Sequence, residues 1–210
     1  MASPKVHPAA WVWALALAGC LTGCGTSRTT VPMTLKPYVY KPVTAPAKAA
    51  IEVAPVKDSR AVKDGLTLAV EVDRDGRYLS EDYVTKEPFA DIFRDALNFT
   101  LQRNGFETTN ATQYVLESNL AGLYYEKHSG EGLPWKVLTT ISTEFELKDK
   151  ATGQSVWKTK YEADDVTETG WVTGNFLARA CSRAAEEVVR QLIADPKFRA
   201  YFETQGTNAP

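Results

Sequence analysis

Residues 137–147, VLTTISTEFEL, set Val137, Ile141, Phe145 and Leu147, with Thr139 and Thr143, on one side of an extended chain. Thr140, Ser142, Glu144 and Glu146 fall on the other side, the period of two that marks a half-buried strand. A polar turn, KDKATG at 148–153, leads into VWKTKYEA at 156–163, where Trp157, Thr159 and Tyr161 oppose Lys158 and Lys160. Strand, short Gly-containing loop, strand predicts a hairpin. An isolated hairpin is marginal in water, so the rest of the chain has to cover its apolar side.

Two segments have the spacing to do so. Residues 88–104 repeat apolar groups at Phe89, Ile92, Phe93, Ala96, Leu97, Thr100 and Leu101, with Pro88 at the start and Gly105 after the end; this is an amphipathic helix with its boundary signals. Residues 175–194 do the same with Phe176, Leu177, Ala180, Cys181, Ala184, Val188 and Leu192, before Pro196 and an aromatic turn with Phe198, Tyr201 and Phe202. Further strands are expected at 50–56, at 66–72 with Leu66, Leu68, Val70 and Val72 on one face, and at 114–125 with Tyr114, Leu116, Leu120 and Tyr124 together. The order strand, strand, helix, strand, hairpin, helix predicts an α+β fold, a two-layer sandwich of a mainly antiparallel sheet with both helices on one face. One globular domain over residues 50–203 fits that length, with a disordered tail at 204–210. No repeat of solenoid or propeller period interrupts it.

The N-terminus belongs to a different physics. Residues 1–8 carry Lys5 and no acid, and residues 9–19 are apolar throughout, about 11 residues where a spanning helix needs roughly 20. This is a signal peptide over residues 1–19. Leu17-Ala18-Gly19-Cys20 and Leu21-Thr22-Gly23-Cys24 both resemble the bacterial lipobox, in which the cysteine becomes the first mature residue and carries lipid. Cys20 is the favoured lipidation site because its box ends where the apolar run ends; Cys24 is the alternative. Several acyl chains hold far more firmly than the marginal binding of one. Residues 20–49 then read as the lipidated end and a flexible Pro-rich tether, with Pro32, Pro37, Pro42 and Pro46 and no acidic residue after Cys24. Such a linker advances about 3.1 Å per residue.

Candidate chemistry is sparse. Without the signal the formal charge moves from −2 to −3, which does not suit a nucleic-acid binder. His128 is then the one histidine, in a loop with Ser129 and Gly130, too little for a catalytic triad or a zinc site. Asp73-Arg74-Asp75-Gly76 begins like a calcium loop, but its twelfth position is Val84, so a turn is expected. Glu162, Asp164, Asp165 and Glu168 read as a solvated, charged sheet edge. Cys181, inside an apolar stripe, reads as a small buried hydrophobe. No catalytic residue, cofactor or metal is expected, and no enzyme.

The runs APVKDSR (54–60), SEDYV (80–84), FRDALNFTLQRNGFET (93–108), QYVLESNLAGL (113–123) and TGQSVWKTKYEA (152–163) resemble the YajG-like family of bacterial envelope lipoproteins. More widely they resemble small envelope lipoproteins, including auxiliary lipoproteins of ABC transport systems. The resemblance spans most of residues 50–194 and implies fold and location; it supplies no catalytic residues. The Asp58 and Arg60 pair is its most suggestive polar feature, expected to be a strand-end ion pair or a turn. The leading expectation is a noncatalytic lipoprotein anchored in the outer membrane and facing the periplasm, an adaptor or structural component with an envelope protein partner. An auxiliary binding module of a lipid or solute transporter comes second, with Trp135, Trp171, Tyr124 and Tyr125 as contact candidates, and a hydrolase of envelope polymers third. Outer-membrane sorting rests on Leu21 or Gly25, neither of them Asp, following the lipidated cysteine.

Overall fold

A computed structural model of the chain describes residues 28–36, 49–129 and 134–203. The signal segment, Cys20 and Cys24, residues 37–48 of the Pro-rich stretch, the loop at 130–133 and the 204–210 tail lie outside the described residues. In chain order the strands are β1 (Thr29–Thr30), β2 (Ala49–Val53), β3 (Lys57–Asp58), β4 (Val70–Val72), β5 (Tyr78–Ser80), β6 (Tyr83–Val84), β7 (Phe106–Thr108), β8 (Tyr114–Ser129), β9 (Trp135–Asp149) and β10 (Ser155–Thr169). The helices are α1 (Phe89–Arg103), α2 (Gly174–Ala194) and α3 (Pro196–Glu203).

The predicted hairpin is the outer part of an antiparallel meander, β8-β9-β10, paired along nearly its whole length. Val137, Thr139, Ile141, Thr143, Phe145 and Leu147 are buried on one face, joined by Leu116 and Leu120 of β8 and Trp157 and Ala163 of β10. All three helices lie on that face. Phe93 of α1 meets Phe145 at 6.4 Å, Phe198 of α3 meets Trp157 at 5.3 Å, and the Tyr161 hydroxyl donates to Asp195 at the end of α2. The fold is therefore α+β in two layers, as the periodicities predict. α2 starts on Thr173, whose hydroxyl accepts the Phe176 N–H. The aromatic turn after Pro196 is a short helix, capped by the Asp195 carboxylate accepting from the N–H groups of Lys197 and Phe198.

The sheet is mixed where the pattern predicts a mainly antiparallel one. The far edge of β8 is paired in series by β2, β3 and β4, all parallel to it: Glu52 opposite Val115, Lys57 opposite Asn119, Val70 opposite Tyr124. Helix α1 is the reason, because it returns the chain to the same end of the sheet, as a parallel connection requires. The strand expected over 66–72 shortens to β4, since the Arg60 guanidinium donates to the Leu68 carbonyl at 2.8 Å and the Leu68 N–H goes to Tyr83 instead. In β8 the register slips between Leu120 and Gly122. This bulge reverses which side chains face the helices: Tyr125 is buried and Tyr124, expected beside Leu120, turns to the other face.

Residues 28–36, expected to be free tether, lie on the domain. Thr29 and Thr30 pair in parallel with Tyr83 and Val84, the Thr29 N–H donating to Asp82 O at 2.7 Å and the Val31 N–H to Val84 O at 2.8 Å. Arg28 binds Asp64 at 2.5 Å, the Glu81 carbonyl and the Thr67 hydroxyl. That guanidinium holds the Asp64 carboxyl below the usual carboxylate range. Val31 is 2% exposed, and further along Lys36 N–H donates to Glu186 while Ser182 donates to the Thr34 carbonyl. The fit depends on Gly174: a Cβ there would stand 2.1 Å from a methyl of Val31. The apolar Val31, Met33 and Leu35 spaced two apart explain the docking, because they form a short strand-like stripe that packs on the core.

Gly174→Ala should therefore destabilise by about 1–3 kcal/mol through overpacking, and Val31→Ala by about 2 kcal/mol through lost burial. In urea unfolding of the full chain the double variant should lose less than the sum, since each change makes room for the other. Strict additivity would mean that the two residues do not touch.

Candidate functional site

The structure sorts the polar residues singled out by sequence into structural pairs. Arg60, its side chain 2% exposed, forms a two-point pair with Asp58 at 2.9 and 2.7 Å and lies 5.2 Å over the Phe89 ring. It ties the β3 turn to α1. Asp73 accepts from the N–H groups of Asp75 and Arg77, and Gly76 takes φ 75°, so 73–76 is a turn. Among the described residues no group of three or more His, Cys, Asp or Glu is placed to hold a metal ion. His128 sits in β8 and not in a loop, its Nε2 3.2 Å from Glu126 and its strand position opposite Lys136. Cys181 is fully buried, and burial pushes its thiol far above the ordinary range, as expected of a packing residue.

The acidic run divides between the two faces of β10. Asp165 turns to the helix side and binds Arg183 at 2.6 and 2.8 Å, while Asp164 accepts from Thr140 on the opposite side. The aromatic candidates do not form one patch. Tyr125 is buried with its hydroxyl on Glu71 at 3.0 Å, a position in which burial first and that carboxylate second raise its pKa. Tyr124 faces the opposite side of β8. Trp135 and Trp171 are at one end of the sheet, opposite and just past Thr169, with Trp171 76% exposed.

Among the described residues, three neighbouring surface features involve the charged residues of the meander. The side of the meander away from the helices is open and carries Glu117, Glu144, Glu146, Lys148 and Lys158, which pair across strands at 2.7–4.0 Å. An open groove of about 620 Å³ runs between β10 and the α2–α3 corner, walled by Trp157, Tyr161 and Asp195 and rimmed by Lys158, Arg190 and Lys197. Beside it, β10 ends the sheet. The groove and the edge lie next to each other. Sequence patterning identified the charged strand; which strand lies outermost follows only from tertiary pairing. Such an arrangement presents backbone and charge to an extended chain, a recognised mode of protein contact.

No protein-family model matches the chain, and no curated protein matches it. Among solved structures, a Xanthomonas campestris protein of the DUF330 family model matches with a TM-score of 0.66 at 13% identity, over 84% of this chain and 99% of that one. A second, described as an uncharacterized protein, matches with a TM-score of 0.51 at 15% identity, over 80% of this chain and 97% of that one. At these identities the likeness shows the fold, and neither names the YajG-like family.

If the Asp58–Arg60 pair is structural, Asp58→Ala should cost about 3 kcal/mol by stranding a buried cation, while joint replacement by Leu and Met should cost less, its remaining loss coming from the Leu68 carbonyl left without the Arg60 donor. Equal losses in the single and double variants, measured in urea, would contradict that role.

Proposed function

We propose that the chain is a noncatalytic lipoprotein, tied to a membrane through Cys20 and serving the cell envelope as an adaptor or structural component. The observation that carries this reading is the pair of Leu-x-Gly-Cys boxes directly after a basic start and an 11-residue apolar run. Among the described residues no helix is long and apolar enough to cross a membrane, a statement that does not bear on strands. In this reading lipid on the cysteine of the box supplies the attachment. With neither Leu21 nor Gly25 acidic, the reading places the protein at the outer membrane, facing the periplasm.

The docked segment bears on how such a protein would work. From Cys20 to Arg28 there are eight peptide steps, a reach of at most roughly 28 Å when fully extended. A tether free to residue 49 would reach several tens of Å further. The domain is thus held near the bilayer, with Arg28, Asp64 and Glu81 on the side where the leash enters. Short reach favours partners in or beside the same membrane. It also favours the adaptor reading over the transporter-auxiliary one, since the groove beside β10 is open and charged where a lipid would want an enclosed apolar cleft.

Two experiments test this. Labelling of intact cells with radioactive palmitate should be lost on Cys20→Ala and kept on Cys24→Ala; label that survives until both are changed moves the site, and label on the double variant ends the lipoprotein reading. Crosslinking in intact cells followed by mass spectrometry should recover a specific envelope protein. Recovery of no specific partner would overturn the adaptor role.

A further inference from the structure

The outer face of β10 carries Lys158, Lys160, Glu162 and Asp164, every one exposed, alternating with half-buried or buried Thr159, Tyr161 and Ala163. The strand is the last in the sheet. The Glu162 carbonyl points away from β9, because the Gln191 amide reaches it from α2 at 3.4 Å. Antiparallel strands alternate the direction of their backbone groups, so Lys158, Lys160 and Asp164 direct theirs to the same free side. The groove next to residues 157–161 leaves that part of the edge uncovered by helix.

Charges on an edge strand ordinarily keep other strands away. Here their order has a different consequence. Two lysines followed by two acids, at every second position, form a self-complementary series about Tyr161. When one copy of the strand runs antiparallel to another with Tyr161 on the two-fold axis, Lys160 stands opposite Glu162 of the partner and Lys158 opposite its Asp164. Symmetry makes each pair twice. A slip by one step of the ladder puts Lys160 on Lys160 in one direction and Glu162 on Glu162 in the other, and opposed like charges destabilise a ladder. The charge series therefore selects one register as well as one partner.

We propose that β10 is a self-association edge at which two copies of this chain join their sheets, antiparallel about Tyr161, into one continuous sheet. One present contact yields to it: the Gln191 amide, long at 3.4 Å, leaves the Glu162 carbonyl, which then accepts from the Lys160 N–H of the second copy. Lys158 is 4.0 Å from the half-buried Glu144 and Glu146, and Lys160 is 3.6 Å from Glu162, long pairs made by exposed lysines and of little net worth, while Asp164 accepts from Thr140 with one carboxylate oxygen and keeps the other for Lys158 of the second copy. At one end the ladder stops where the register breaks at Val156, whose carbonyl is taken by the Tyr201 hydroxyl. At the other, Val166, 66% exposed, lies beyond the last charged pair. Both copies keep their helices on the same side of the joined sheet, because the axis is normal to it, and each groove receives the adjoining part of the partner's edge. A ladder over 158–164 is short beside interfaces of about 1,600 Å², so the dimer is reversible and depends on concentration.

Sedimentation equilibrium of the full-length chain in density-matched detergent tests this, with thermal unfolding followed by circular dichroism as a check on folding. Wild type should show a monomer–dimer equilibrium. Lys160→Glu and Glu162→Lys should each weaken it by about tenfold or more through paired like charges, with unfolding unchanged. Lys160→Glu combined with Glu162→Lys in one chain should restore the dimer, because in this register the two positions face only each other. A wild-type monomer at all concentrations, single variants that dimerise like wild type, or a combined variant that stays dissociated would each overturn the proposal.

Discussion

Three long strands with one apolar face impose a single demand on this molecule, that the face be covered from end to end. β8 and β9 run 16 and 15 residues, and β10 another 15. A surface that long exceeds what one helix of 15 residues can shield. α1 covers the middle through Phe89, Phe93 and Leu97, α2 covers β9 and β10, and α3 closes one end with Phe198 and Phe202 against Phe106, Trp157 and Tyr114. Val31, Met33 and Leu35 of the N-terminal segment complete the cover beside α2. Burial at this scale is the dominant favourable term in folding, and it dictates why chain that looks like linker is pulled onto the domain.

The strand and helix periodicities were plain in the sequence because each is local. Phe89, Phe93, Leu97 and Leu101 repeat at helical spacing whatever they pack against, and Val137 to Leu147 alternate before any partner is known. What stayed hidden depends on contacts far apart in the chain. The slip at Ala121 that exchanges Tyr124 for Tyr125 is one residue in a run otherwise regular. The parallel edge of β8 follows from the path of α1, although the order strand, helix, strand contained that hint. Leu66 to Ala69 alternates in sequence, but its pairing goes to residues 83–85 and its Leu68 carbonyl to the Arg60 guanidinium eight residues earlier. Val31 was masked by the prolines around it, which exclude helix and central strand but leave a short edge pairing open.

The polar residues show the same division. Asp58 and Arg60 were legible as a local ion pair or turn because they are two residues apart, and Cys181 as core because its neighbours at helical spacing are apolar. The two faces of the acidic run, with Asp165 on Arg183 and Asp164 on Thr140, needed the strand to be placed first. So did the outer edge of β10, whose charge order has meaning only for a strand that ends the sheet among the described residues. In the reading proposed above, function resides in attachment and contact surfaces, and the contact surfaces are set by how the elements are arranged more than by any motif within them.

The docked N-terminal segment is both cover for the core and the described part of the chain nearest the cysteines. Hydrogen exchange on the full-length protein tests it directly. The amides of Thr29 and Val31, which donate to Asp82 and Val84, should exchange as slowly as those of the β6 strand they accompany. Exchange of both at the rate of an unstructured peptide, with β6 still protected, would contradict it.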